Sequence, residues 1–251
     1  MINVGIIGCG FVGGALKDWL EHNNPDCKLF ISDPPKGYND DLSKIDIAFL
    51  QIHVPTEDDG TQNLTLMKEL ISNLPNVPVF VRTTILPGSS EMLSRETGHT
   101  VCYMPEFLTE RTFIEDFRKQ TMVFTGALDL LTKIFVGKKF TVMTPLEAEL
   151  TKYMHNVFGA YKVTYFNACR EYCEQMGVDW RKVHTGMLLS GYINDTHTYV
   201  PGPDGKFGYG GKCFPKDVNA FAKMTKGTPL GTLLEHLHEL NVHFRGVEEH
   251  I

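Results

Sequence analysis

Through the first half of the chain, short, nearly continuous apolar runs alternate with amphipathic stretches. That alternation constrains the fold more than any other feature. The apolar runs are INVGII (2–7), KLFIS (28–32), DIAFLQI (46–52), VPVFVR (77–82), TVCYM (100–104) and TMVFTG (121–126). Between them lie stretches such as FVGGALKDWLEH and LTLMKELISNL, whose apolar residues recur at helical spacing. Strands that are apolar on both faces need cover on both faces, so the order strand, helix, strand predicts a doubly wound parallel α/β sheet.

From Pro145 the pattern changes. PLEAELTKYMHNVFGAYKVTYFNACREYCEQMG opens on proline, carries Glu147 and Glu149 early and closes at Gly177, all signals of one long helix. It would span about 48 Å at 1.5 Å per residue. Leu150, Met154, Val157, Tyr161, Tyr165, Ala168 and Tyr172 form one apolar stripe, widened by Tyr153, Phe158 and Phe166. So wide a stripe predicts packing on two sides, one of them a second subunit, through residues 145–176. Shorter helices are expected at about 179–190, 215–225 and 229–244, beside the glycine- and proline-rich loop SGYINDTHTYVPGPDGKFGYGG. The expected division is 1–144 for the α/β part, and 145–251 for the long helix with a smaller helical domain.

Composition narrows the class. A charge of −6, with no long Lys/Arg run, argues against bulk attraction to nucleic acid or to an anionic membrane. The chain begins MINVGIIGCG, not as a basic segment with a cleavage site, and nowhere holds 18 uninterrupted apolar residues, which reads as cytoplasmic. Six cysteines, at 9, 27, 102, 169, 173 and 213, show no C-x-x-C and no zinc spacing, so reduced thiols and no metal are expected. Cys169 and Cys173, four apart on the long helix, read as small core residues.

IIGCGFVGG places Gly8, Gly10 and Gly13 as G-x-G-x-x-G directly after the first strand and at the start of a helix. The first glycine permits the tight turn, the second lets backbone approach a pyrophosphate, and the third lets helix and strand pack closely. Asp33, at the end of the second strand, can accept from a ribose 2′-hydroxyl. These features predict a Rossmann-like dinucleotide site in which Asp33 favours NAD over NADP, with Lys36 near enough to weigh against that preference. HVPTE (53–57) and RTTILPGS (82–89) follow strands at the ligand-binding edge, where Thr56 and Thr84 offer hydroxyls or cap the next helices.

On the long helix Glu149, Lys152 and Asn156 share a face at i, i+3 and i+7. An ammonium beside an amide suits a hydroxyl-oxidising enzyme, although spacing alone favours a solvated polar stripe. His155 reads as a surface or packing histidine. In GYGGKCFPKD, Pro215 suits the first turn of a helix, placing Cys213 at an N-terminus where backbone N–H groups and Lys212 and Lys216 favour a thiolate. Gly210 and Gly211 would leave room for a bulky ligand. Taken alone, this segment favours an inert packed thiol.

Together, GCGFVG, VPTE, TTILPG, PEFLTE (105–110), EAELTKYMHNVFGAYKVTYFN and GYGGKCFPKD occur in the order, and with the character, of the UDP-glucose/GDP-mannose dehydrogenase family, which the chain resembles along essentially its whole length. The resemblance implies oxidation of a nucleotide sugar's primary alcohol to a carboxylate, with NAD as cofactor. It implies Cys213 as nucleophile, with Lys152, Asn156 and Asp217 around the reacting oxygen or a water. Glu110 resembles the family's glutamate for thioester hydrolysis, and Thr84 its cofactor- and water-contacting threonine. Gly8, Gly10, Phe11, Val12, Gly13, Asp33, Val54, Pro55, Thr56, Thr84 and Glu110 would line the cofactor. Glu106, Phe107, Leu108, Lys152, Asn156 and Gly210 would hold the substrate, a nucleotide sugar or sugar phosphate.

The sequence also departs from the family. VPTE has Glu57 where proline is usual, His197 stands where a substrate-binding arginine is usual, Lys212 replaces a serine, and no glutamate follows Asn167. The family continues past the LLEHLHELN helix into a second nucleotide-binding domain, whereas this sequence stops at FRGVEEHI, so a separate chain is a candidate to supply that part. Two other readings stay open: a two-electron 3-hydroxyacid-type dehydrogenase, which shares the nucleotide fold and a lysine/asparagine helix, and a non-catalytic NAD-binding subunit.

Overall fold

The computed structural model describes residues 1–57 and 59–246. Its Cα packing separates two units among the described residues, Met1–Glu57 with Gln62–Lys152, and residues 153–246 with residues 59–61. The expected boundary at 144 marks the start of the long helix, whereas the units divide inside that helix, after Lys152.

The first unit is built on six strands: β1 (Ile2–Ile7), β2 (Cys27–Asp33), β3 (Tyr38–Asn39), β4 (Ile47–Leu50), β5 (Val79–Val81) and β6 (Val101–Tyr103), ordered β3-β2-β1-β4-β5-β6. All pairings are parallel except β2 with β3, where Asp33 faces Tyr38 and Ser32 faces Asn39. The predicted α/β sheet is present. TMVFTG departs from the expected alternation: β7 (Met122–Phe124) pairs with β8 (Phe140–Val142) in a separate two-stranded sheet.

Side chains alternate across the sheet as strand geometry requires. Val4, Ile6, Ile47, Phe49, Phe80 and Cys102 enter one apolar cluster, with Leu16 and Trp19 of α1 (Phe11–Asn23) and Phe117 of α4 (Phe113–Lys119). Ile7, Ala48, Leu50, Val79, Val81, Val101 and Tyr103 enter the other, with Met67 and Ile71 of α2 (Thr65–Ser72) and Leu93 of α3 (Ser89–Thr97). Each fully buried Leu, Ile or Phe contributes about 1.5–3 kcal/mol, so both faces of the sheet supply stability. A further short helix, α5 (Leu128–Ile134), adds Leu131 and Ile134 to the first cluster.

The long helix α6 runs Pro145–Gln175. Its start is fixed by a reciprocal cap: Thr144 N–H donates to Glu147 Oε2 at 2.7 Å, and Glu147 N–H donates to Thr144 Oγ1 at 3.3 Å. Thr144→Ala should therefore cost about 1 kcal/mol in denaturant unfolding, with little change in the m-value. At the other end Gly177, at φ +67°, lets the chain turn away.

The second unit adds α7 (Trp180–Leu188), α8 (Phe214–Met224) and α9 (Pro229–Arg245), each close to its expected span. Cys169 and Cys173 lie where core residues were expected, in a cluster with Phe166 and Trp180. The apolar stripe of α6 is split: Val157 is buried, while Met154, Phe158, Tyr161, Tyr165 and Tyr172 are exposed. No described helix is long and apolar enough to cross a membrane.

Candidate functional site

In the first unit the β1–α1 turn has the form a pyrophosphate requires. Gly8 sits at φ +84°, and a Cβ there would lie 2.6 Å from the Gln51 carbonyl oxygen; a Cβ at Gly13 would lie 2.1 Å from the Gly8 carbonyl oxygen. Both positions are closed to any side chain. At Gly10, by contrast, an added Cβ meets nothing within 4 Å, so the turn opens outward there. Gly10 is the N-cap residue of α1; no side chain caps this end and no acidic residue occupies its first turn. Helix N–H groups left in this state suit a phosphate. Phe11 and Val12, half-buried, begin the helix, and Phe11 meets Phe113 edge-on at 6.3 Å.

The turn is held from both sides. Cys9 N–H donates to Asp33 Oδ2 at 2.7 Å, and Lys36 Nζ donates to the Cys9 carbonyl at 2.6 Å. From β4, Gln51 Nε2 donates to the Gly8 carbonyl at 3.0 Å. The other Gln51 atom, Oε1, and Thr56 Oγ1 are buried without a hydrogen-bond partner among the described residues. Orphaned buried polar atoms near an open glycine cradle are what a dinucleotide would satisfy, so these residues fit NAD. Val54 is different: its side chain is core, leaving only its backbone to face a ligand, while Pro55 is exposed. Thr84 is buried, and its carbonyl accepts from Gln62 at 3.2 Å.

A second group in the same unit centres on Glu106. Lys152 Nζ donates to Glu106 Oε1 at 3.0 Å and also to its carbonyl, while Leu108 N–H donates to Oε2 at 2.7 Å. Lys152 and Glu106 are both buried, and the ammonium lies 5.6 Å from the Phe107 ring centre. Leu108 packs against the apolar core, and Glu110 is exposed in the following turn. Arg82, directly after β5, is 1% exposed, with Nε and Nη2 lacking hydrogen-bond partners among the described residues. Burial lowers its pKa to about 10, against an opposing pull from Glu106, so the guanidinium stays charged at neutral pH. Arg82 and Gln51 were not among the expected site residues. The signal available was a polar residue ending an otherwise apolar strand at the edge where ligands bind.

The solvated polar stripe favoured by spacing on α6 is not what forms. Glu149, Lys152 and Asn156 are 0%, 3% and 5% exposed. Glu149 accepts from Gly88 N–H at 2.6 Å, from Ser90 N–H at 2.8 Å and from the Ser90 hydroxyl at 2.6 Å, capping α3.

In the second unit Cys213 is the N-cap residue of α8 and is exposed, contrary to the inert packed thiol its segment favours. One turn on, Asp217 N–H donates to the Cys213 carbonyl at 3.0 Å. The Asp217 carboxylate, 1% exposed, accepts from Asn156 Nδ2 at 2.6 Å and from Lys216 Nζ. His155 Nδ1 lies 3.1 Å from Asn156 Oδ1, and the His197 ring meets Phe214 at 5.1 Å with its backbone at φ +63°. Burial, then Lys162 and His155, lowers the His197 pKa, so the ring is neutral at pH 7.

The room expected at Gly210 is already filled. A Cβ there would meet the Arg245 guanidinium at 2.3 Å, because Arg245 folds back to bond the Phe207 and Gly208 carbonyls and Asp204; Gly211, with nothing within 4 Å, is the open position. Among the described residues no group of three or more His, Cys, Asp or Glu could hold a metal.

The strand order, the glycine turn and the carboxylate closing β2 define the Rossmann class of nucleotide-binding folds. Residues 146–243 match the UDP-glucose/GDP-mannose dehydrogenase family, central domain, and the chain belongs to that family. It is 31% identical over 216 residues to the UDP-glucose 6-dehydrogenase of Rhizobium meliloti (strain 1021), covering 74% of this chain and 48% of the relative. It is 26% identical over 229 residues to the UDP-glucose 6-dehydrogenase YwqF of Bacillus subtilis (strain 168), covering 83% and 50%. The chain thus spans about half the length of these curated relatives. The solved UDP-glucose dehydrogenase of the archaeon Pyrobaculum islandicum shares the fold, with a TM-score of 0.81 at 22% identity over 97% of this chain and 68% of that one.

Proposed function

We propose that the chain is an NAD-dependent oxidoreductase that converts the primary alcohol of a nucleotide sugar, UDP-glucose first among candidates, into the carboxylate, and that it pairs as a homodimer through α6. The observation that carries this reading is Cys213: an exposed thiol at the start of α8, one turn from a buried carboxylate held by Asn156 and Lys216.

Gly8, Gly10, Gly13 and Asp33 would hold the cofactor, with Thr56 and Thr84 offering hydroxyls at the same edge. NAD supplies a hydride acceptor for each of two oxidations. The first oxidation leaves an aldehyde. Cys213 sulfur then bonds to that carbonyl carbon, and the oxygen takes the proton the thiol gives up, leaving a thiohemiacetal whose remaining C–H is on a tetrahedral carbon and can be given as hydride. Loss of hydride from that carbon and of the hydroxyl proton gives a thioester, and water breaks its C–S bond to release the acid and restore the thiol. By family resemblance, Lys152, Asn156 and Asp217 are assigned to the reacting oxygen or water, Glu110 and Thr84 to the hydrolytic water, and Glu106, Phe107 and Leu108 to the substrate. The exposed Phe158, Tyr161, Tyr165 and Tyr172 support pairing through α6, since exposed aromatic patches mark association surfaces.

Purified protein given NAD and UDP-glucose should form two NADH for each UDP-glucuronate. A ratio of one would indicate a two-electron dehydrogenase, and NAD binding without turnover of any nucleotide sugar would indicate a non-catalytic subunit.

A further inference from the structure

After β2 the chain makes a turn whose form is set by its sequence. Pro34 and Pro35 fix two backbone φ angles, Gly37 closes the turn at φ +82° with its N–H bonded to the Pro34 carbonyl at 3.0 Å, and β3 folds back onto β2. Lys36 is the residue between proline and glycine, so its backbone position is rigidly specified. Its Nζ reaches the Cys9 carbonyl at 2.6 Å, while the Cys9 N–H bonds Asp33 Oδ2 at 2.7 Å. A single residue of the glycine turn, Cys9, thus has a carboxylate on its N–H and an ammonium on its carbonyl.

Two cations, Lys17 and Lys36, and two carboxylates, Asp33 and Glu21, act on Cys9. Lys17, the other cation acting on Cys9, is tied to Glu21 at 2.9 Å. Among the described residues Lys36 forms no ion pair, and it is exposed. One of its three N–H bonds is used on the Cys9 carbonyl, which leaves two directed elsewhere. A carboxylate closing β2 marks where the adenosine ribose of a dinucleotide belongs. At that place Asp33 recognises a 2′-hydroxyl and repels a 2′-phosphate, whereas an ammonium with spare donors attracts the phosphate.

We propose that Lys36 makes the adenosine end of this site a receptor for a 2′-phosphate monoester as well as for a 2′-hydroxyl, so that the chain takes NADP beside NAD. The inference rests on the dinucleotide-binding reading of the glycine turn. Asp33 keeps NAD the tighter ligand, and Lys36 narrows the gap.

Direct calorimetric titration of the full chain with NAD and NADP, at low salt, tests this without recourse to turnover. The wild type should bind NADP within roughly thirtyfold of NAD. Lys36→Met should raise the NADP-to-NAD ratio of dissociation constants about tenfold, Lys36→Arg should restore it, and thermal melts should confirm that both variants fold. Adenosine 2′,5′-bisphosphate should follow NADP, and 5′-AMP should follow NAD. NAD binding with no NADP binding overturns the proposal and leaves the dinucleotide reading intact. Equal weakening of both ligands in Lys36→Met also overturns it, reducing Lys36 to a clamp on the turn. Binding of neither ligand to the wild type removes both readings.

Discussion

Cys213→Ser should abolish net formation of acid from UDP-glucose and NAD, with a loss on the order of 10³-fold or more, the scale on which covalent nucleophiles are missed. The reason lies in the second oxidation. An aldehyde has no hydride to give until a nucleophile has added to its carbonyl, and a serine hydroxyl at ordinary pKa is a far weaker nucleophile than a thiol. The substitution exchanges sulfur for oxygen at an exposed N-cap, where serine is itself a favoured residue, so the fold should be unaffected. Mass-spectrometric quantification of UDP-glucuronate alongside NADH absorbance reads the effect. Acid yields equal to wild type would remove Cys213 from the reaction and leave it only as the residue that precedes α8.

Glu149→Ala should be the most destabilising single change among the polar residues of α6, costing on the order of 3 kcal/mol. Three donors from the segment at Gly88–Ser90 converge on this carboxylate, which is 0% exposed, and truncation leaves the two on Ser90 buried, and the Gly88 N–H half-buried, without this acceptor. Gly88 supplies no side chain to cap α3, so Glu149 performs that function from another element and places negative charge where the helix dipole favours it. Burial raises the Glu149 pKa, opposed by its bonds to Ser90 and Gly88. A carboxyl whose folded pKa lies above its unfolded value contributes most below the ordinary glutamate range and loses that contribution as pH rises through the folded pKa. Urea unfolding should therefore show a larger gap between wild type and variant at about pH 5 than at about pH 8. A gap under about 1 kcal/mol at both would mean that water replaces the carboxylate as acceptor.

Much of the fold was readable because the strands are apolar at consecutive positions and the helices are punctuated by proline, glycine and capping residues. The strand β1 and the helix α6 fall at or close to their expected bounds for that reason. Tyr38–Asn39 and Phe140–Val142 escaped because strands of two or three residues carry no periodicity. TMVFTG looked like another strand of the main sheet, since an apolar run does not say which neighbour it pairs with. The same limit applied at Glu149: i, i+3, i+7 spacing places residues on one face, but what covers that face comes from Gly88 and Ser90, some sixty positions away. The glycine turn was legible because it is local, with Gly8, Gly13 and Asp33 each answering to one steric or hydrogen-bonding demand. Arg82 was missed because its meaning depends on Glu106 and on burial, neither of which is local.

The division of the apolar interior by a sheet one strand thick carries a mutational consequence. Cys9, Ala15 and Leu16, in and after the glycine turn, belong with Phe49 and Phe80 on one side; Ala48, Leu50 and Val81 belong to the cluster on the other. Because side chains on the two sides share few partners, volume lost on one is poorly felt on the other. Substitutions that change volume beneath α2 and α3 are therefore expected to cost stability while leaving the β1–α1 turn in place, so tolerance to mutation differs between the two sides of the same six strands.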